Sequence, residues 1–158
     1  MTDEIPWYEQ IAIPALLRHA RSTYGNAMRQ ALTEAGYDDV PRNGLYVIGG
    51  MAMGAGGVPL GQLVRELGIS KQAAGQLVDT LVLRGYLERT VDPDDRRKLT
   101  VTLTERGMAA AAAQTAAREK IDAALLERVG DKAVLATRRT LAALIGIGKE
   151  SRPEPEEH

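Results

Sequence analysis

Between Leu60 and Gly85 the same apolar spacing occurs twice, and that repetition limits the fold more than any other feature of the chain. Leu60, Leu63, Val64 and Leu67 stand at i, i+3, i+4 and i+7, one apolar face of a short helix that stops at Gly68. Gly68-Ile69-Ser70 then reads as a tight turn, with Ser70 placed to cap a second helix. Ala74, Leu77, Val78 and Leu81 repeat the spacing until Gly85 ends it. Two short amphipathic helices joined by so tight a turn form a helix-turn-helix.

Past Gly85 the period switches toward two. Tyr86 to Val91 is strand-like, and Leu99, Val101 and Leu103 alternate with Thr100 and Thr102. Between them lies Asp92-Pro93-Asp94-Asp95-Arg96-Arg97-Lys98, a charged, proline-bearing hairpin tip. A hairpin directly after a helix-turn-helix is a wing, so the sequence predicts a winged helix-turn-helix over residues 58 to 106.

The flanks read as helices. Trp7 to Ala35 carries Ile13, Leu16, Leu17, Ala20, Tyr24 and Met28 on one face and ends at Gly36, and Pro14 moves the regular part to begin near itself. Arg42 to Met53 forms a second, short apolar helix. The glycines at 49, 50, 54, 56 and 57 lack the Gly-Lys-Ser/Thr ending of a phosphate loop and read as a flexible connector. Thr104 can cap a long helix through Arg128, and Asp131 to about Gly148 forms another beyond Gly130. Glu150 to His158, with two prolines and four glutamates, reads as a frayed tail.

The expected fold is therefore mainly α with a small β-hairpin wing, a winged helix-turn-helix flanked by N- and C-terminal helices. The expected organisation is an N-terminal helix over 1–40, a winged module over 41–107, C-terminal helices over 108–149 and a disordered tail over 150–158. The Ala109 to Ala113 run and the apolar stripe of the last helix offer more small and apolar surface than one short module can cover, which favours a homodimer over a monomeric bundle.

Composition removes several function classes. The chain of 158 residues has no cysteine, which excludes thiol sensing and Cys-ligated zinc, and its two histidines, His19 and His158, make no metal site. No nucleophile elbow, usable His pair or dinucleotide pattern is legible, so no enzyme and no cofactor is expected. The absence of a long apolar run and of a basic-then-apolar leader points to a cytoplasmic protein without a membrane partner. A net charge of −1 looks unfavourable for nucleic acid, yet Val58 to Gly107 holds eight Lys and Arg against seven acids, with the cations gathered at a helix start and the hairpin tip.

With the apolar face of the Ser70 helix turned inward, Gln72, Gly75, Gln76 and Asp79 share the opposite face, flanked by Lys71. A glutamine amide can pair bidentately with adenine, Lys71 can take a phosphate or guanine, and the helix start offers free N–H groups to phosphate. Ser70, Lys71, Gln72 and Gln76 are thus candidate contacts to double-stranded DNA. Asp79 fits better as the partner of a cation such as Arg89. In the wing, Arg96, Arg97 and Lys98 are candidates for the minor groove, with a carboxylate such as Asp95 available to hold a guanidinium.

The order Leu67-Gly68-Ile69-Ser70-Lys71, Leu77-Val78-Asp79-x-Leu81, Arg84-Gly85-Tyr86-Leu87-Glu88-Arg89, Asp92-x-x-Asp95-x-Arg97 and Leu103-Thr104-x-x-Gly107 resembles the MarR family. The resemblance implies a transcription regulator: an obligate homodimer, its N- and C-terminal dimerisation helices over 1–40 and 108–149 interlocked, that binds a pseudo-palindromic operator near its own promoter, with repression favoured by family analogy. Two-fold symmetry would set its two Ser70 helices about one DNA turn apart, roughly 34 Å. It makes Gln72 and Gln76 base readers, Arg97 the minor-groove arginine and Asp95 its orienting partner. Gly75 departs from the family, where a threonine or similar residue is common. The family also implies release from DNA by a small aromatic or phenolic effector, for which Trp7, Arg18, His19, Tyr24, Tyr46, Met51 and Met53 are the candidate contacts. The rival reading is a winged helix used for protein contacts alone, which would need neither Gln76 nor Arg97.

Overall fold

A computed structural model of the chain describes residues 4–53, 60–97 and 99–152, with Leu99 described in its backbone only. The described residues form a 3-10 turn at Trp7–Glu9, helices α1 (Ile13–Glu34), α2 (Gly44–Ala52), α3 (Leu60–Leu67) and α4 (Lys71–Leu83), strands β1 (Leu87–Val91) and β2 (Leu99–Leu103), and helix α5 (Glu105–Glu150). Two compact units result, Met1–Glu119 and Lys120–His158. The element order is the expected one: mostly helical, with a two-stranded hairpin after the helix-turn-helix.

Local chemistry explains the boundaries. Pro14 occupies the first turn of α1, where its missing N–H costs nothing, and Ala12 before it is extended. At the other end Gly36 takes a positive φ of 86°, which lets the Tyr37 N–H reach back to the Leu32 carbonyl at 2.8 Å. Gly85 repeats that arrangement after α4 with φ 80°, and the Tyr86 N–H closes on the Leu81 carbonyl at 2.9 Å. The start of α4 is capped by Ser70, whose Oγ accepts the Ala73 N–H at 3.1 Å.

Gly49 and Gly50 belong to α2 and not to a connector. Glycine is a poor helix former, but here packing outweighs propensity. A Cβ at Gly50 would stand 2.4 Å from Leu63 Cδ2, so the missing side chain is what lets α2 and α3 approach each other. Gly54, Gly56 and Gly57 lie outside the described residues, as do Val58 and Pro59 at the start of the expected winged module.

The hairpin is antiparallel, with Leu87 opposite Leu103 and Val91 opposite Leu99. Tyr86 and Leu87 sink into the core beside Leu32, Val47, Ile48, Leu77 and Leu81, while the remaining β1 residues face outward. This core also takes in Ala110 and Ala111 of α5, whose buried stripe runs Gly107, Ala110, Ala111, Gln114 at helical spacing. Further along α5, Gly130 alone leaves helical geometry, with φ 81° and ψ 167°. The break falls where the sequence placed the end of one helix and the start of the next.

Candidate nucleic-acid interface

Helix α4 turns Ala74, Leu77 and Leu81 into the core and leaves Lys71, Gln72, Gly75, Gln76 and Asp79 exposed. The two glutamines lie one turn apart on the same face, so a single surface could reach both. Nothing stands within 4 Å of where a Cβ on Gly75 would project, so the centre of this face is open. Ser70 is exposed as well, with its hydroxyl oxygen engaged as the cap.

Asp79 pairs with Arg89 of β1, joining α4 to the wing strand. This is the partnership expected from the sequence, and it neutralises the one acid on the exposed face of α4. Both side chains are largely solvent-exposed, so the pair contributes well under 1 kcal/mol and serves mainly to relate two elements.

At the hairpin tip, Arg96 and Arg97 are exposed. Lys98, the third candidate cation, lies outside the described residues. Asp95 contacts Arg97 through the backbone: its Oδ1 accepts the Arg97 N–H at 3.0 Å, and Asp92 does the same for Asp94 at 2.8 Å. The two aspartates shape successive turns of the tip. Below the tip, the hydroxyls of Thr90 and Thr100 meet across the strands at 2.9 Å.

Behind the wing is a polar cluster that sequence reasoning missed. The Tyr86 hydroxyl donates to Asp39, and Arg106 donates to Asp39 at 3.2 Å and to the Tyr86 oxygen at 3.0 Å. The Arg106 guanidinium also lies over the rings of Tyr86 at 4.7 Å and Tyr37 at 5.2 Å, and those two rings meet edge to face. Arg84 adds a hydrogen bond to the Asp39 carbonyl. The hydrogen bond from Tyr86 holds the Asp39 carboxyl below its usual range, with Arg106 acting the same way against a burial effect. Burial, with Asp39 beside it, pushes the Tyr86 hydroxyl up to about 12. The cluster ties the loop before α2, the end of α4, the root of β1 and the start of α5 together.

A cavity of about 230 Å³ opens between α1, α2 and the first half of α5. Of the effector candidates, Tyr46 and Met53 line it. Met51 packs against the core, Tyr24 is half-buried, Arg18 and His19 are exposed, and Trp7 sits in the N-terminal 3-10 turn against Tyr8. The sequence had not singled out Gln114 or Arg118, which supply the cavity's polar atoms together with Thr115. Gln114 carried a signal nonetheless: it stands at i+3 and i+4 from Ala111 and Ala110, on the buried stripe of α5.

Among the described residues no group of acidic or histidine side chains could hold a metal, and no helix is long and apolar enough to cross a membrane.

A capped helix presented after a tight turn, with a hairpin beside it, defines a winged helix-turn-helix protein. The MarR family model matches residues 38–98 of this chain. An uncharacterized protein of Mycobacterium tuberculosis is 32% identical over 92 residues, 58% of this chain, which spans 64% of that relative's length. Among solved structures, CouR from Rhodococcus jostii RHA1 bound to p-coumaroyl-CoA is 26% identical with a TM-score of 0.66, over 85% of this chain and 92% of CouR. The Staphylococcus aureus MepR–DNA complex shares the fold at 16% identity and a TM-score of 0.66, over 86% of this chain and 98% of MepR.

Proposed function

We infer that this protein is a sequence-specific DNA-binding transcription regulator that acts as a homodimer on a pseudo-palindromic operator, represses from it, and is released by a small apolar effector with an aromatic or phenolic ring. One observation carries the reading: Gln72 and Gln76 are exposed together on the outer face of a capped α4, with Arg96 and Arg97 exposed at the tip of the hairpin that follows. Amides on a protruding helix suit base edges in the major groove, and arginines at a hairpin tip suit the minor groove.

A dimer is favoured by the apolar side chains that one chain leaves uncovered. Ile5, Trp7, Tyr8, Ile11 and Ile13 are exposed near the N-terminus, and Leu135, Leu144, Ile145 and Ile147 near the other end. DNA and ligand are carried over from relatives, since MepR was solved with DNA and CouR with p-coumaroyl-CoA. With a net charge of −1, a single chain has little long-range attraction for phosphate, and two modules on one duplex would double the contacts.

The test is binding to the DNA upstream of its own reading frame at several salt concentrations, with Gln76→Ala and Arg97→Ala beside wild type. A regulator of this kind gives a steep negative salt slope, and both substitutions weaken its preference for that DNA over unrelated duplex. A flat salt dependence, or variants that discriminate as well as wild type, would leave a winged helix used for protein contacts alone.

A further inference from the structure

The cavity behind α2 has apolar walls and one polar corner, and that corner is incomplete. Gln114 is buried to 2% exposure, and its amide orientation is fixed because Nε2 donates to the Leu45 carbonyl at 3.1 Å. The other end of the amide, Oε1, is fully buried without a partner. One helical turn along α5, the Nε of Arg118 is likewise buried and unpartnered. Gly49 leaves the room this corner needs, since a Cβ there would stand 3.1 Å from Gln114 Oε1. Native proteins rarely leave buried polar atoms unpaired, and two of them side by side in one cavity mark a place for a guest.

The two atoms ask for opposite things. Gln114 Oε1 can only accept, and Arg118 Nε, on a guanidinium that is always charged, can only donate. Both sit on one face of α5 at i and i+4, so they are neighbours. A single hydroxyl satisfies both, donating its proton to Oε1 while its oxygen accepts from Nε. A carboxylate suits the arginine but sets an acceptor against Oε1, and a plain hydrocarbon leaves both atoms unpaired. Met28, Leu45, Tyr46 and Met53 provide the apolar surround for a flat ring.

We propose that Gln114 and Arg118 are the specificity-determining residues of this cavity, and that they select a ring bearing a neutral hydroxyl over the same ring bearing a carboxylate or no polar group. The proposal rests on the effector reading above in taking the cavity as a ligand site, but its test needs no DNA.

The test is calorimetric titration of the full chain with 4-ethylphenol, ethylbenzene and 4-ethylbenzoate. Wild type should bind the phenol at least about tenfold more tightly than either analogue. Gln114→Met keeps the length and apolar bulk of the side chain, leaves Arg118 as the hydroxyl's remaining partner, and should shrink the phenol's lead over both analogues. Gly49→Ala crowds Oε1 without removing it and should weaken the phenol more than the hydrocarbon, while Arg118→Met removes the donor that suits both the phenol oxygen and the carboxylate and should shrink the phenol's lead over ethylbenzene while widening its lead over ethylbenzoate. Equal affinities for the three probes in wild type, no measurable binding of the phenol, or a lead of the phenol over ethylbenzene that is undiminished in both Gln114→Met and Arg118→Met, would overturn the proposal. If Gln114→Met unfolds, the Gly49→Ala and Arg118→Met ratios decide the matter alone. Should the phenol bind as expected yet leave a DNA complex intact, the hydroxyl selectivity stands and release by this ligand fails.

Discussion

Gly107 faces the backbone carbonyl of Tyr86 so closely that a Cβ at 107 would stand 2.1 Å from that oxygen. The same carbonyl accepts the Thr104 N–H at 3.1 Å, and the Thr104 hydroxyl in turn accepts the Gly107 N–H at 3.0 Å. The start of α5 is thus seated on the root of the wing, with a glycine as the point of contact. Backbone cannot swing aside as a side chain can. Gly107→Ala should therefore lower unfolding stability by about 3 kcal/mol despite alanine's better helix propensity, read as a fall in the urea midpoint at unchanged slope.

Tyr86→Phe tests the cluster behind the wing. The hydroxyl bonds a carboxylate and a guanidinium, and its removal should cost about 2 kcal/mol near neutral pH. The pH dependence carries a sign. Because the folded hydroxyl is held up at about 12 against 10 for a free tyrosine, the folded state resists its ionisation. That contribution is complete below pH 10 and is lost as pH rises toward 12. Denaturant unfolding across this range should show wild type losing stability more steeply than Tyr86→Phe. At the acid end the lowered Asp39 works in the opposite sense: its contribution is present above the ordinary carboxylate range and is lost as pH falls through the folded value.

Ser70→Ala removes the cap of α4 and should cost about 1 kcal/mol of stability. Gln76→Ala, on the exposed face, should leave the thermal midpoint unchanged while weakening DNA discrimination. The pair separates holding the helix from using it. Equal thermal midpoints in the two variants would count against the cap.

Asp95 offers a sharper comparison, because its contact is with the Arg97 backbone N–H. Asn keeps an acceptor for that bond and removes the charge, whereas Ala keeps neither. Operator affinity should therefore survive in Asp95→Asn and fall in Asp95→Ala. A loss of equal size in both would mean that the carboxylate acts on the guanidinium.

What could be read from the sequence was local. The apolar faces of α3 and α4 repeat at helical spacing, and Gly36, Gly68 and Gly85 all adopt the positive φ that makes glycine a helix terminator. The exposed glutamines followed directly, since a face opposite a buried one has nowhere else to go. The cluster behind the wing was out of reach, because Tyr86 and Arg106 lie 47 and 67 positions from Asp39 and nothing in their spacing connects them. Gly49 and Gly50 misled for a related reason. Their composition says connector, and only the neighbours Gln114 and Leu63 show why a helix needs them bare.

Gly75 sits on the outer face of α4 between the two glutamines, with nothing near the space a side chain would fill. Almost any residue can be installed there without disturbing the core, and most would raise helix propensity by up to about 1 kcal/mol. The position is thus a blank in the proposed recognition surface. A lineage of such proteins could drift from one operator to another through this single site, gaining a contact and stability together, where most changes of specificity trade one against the other.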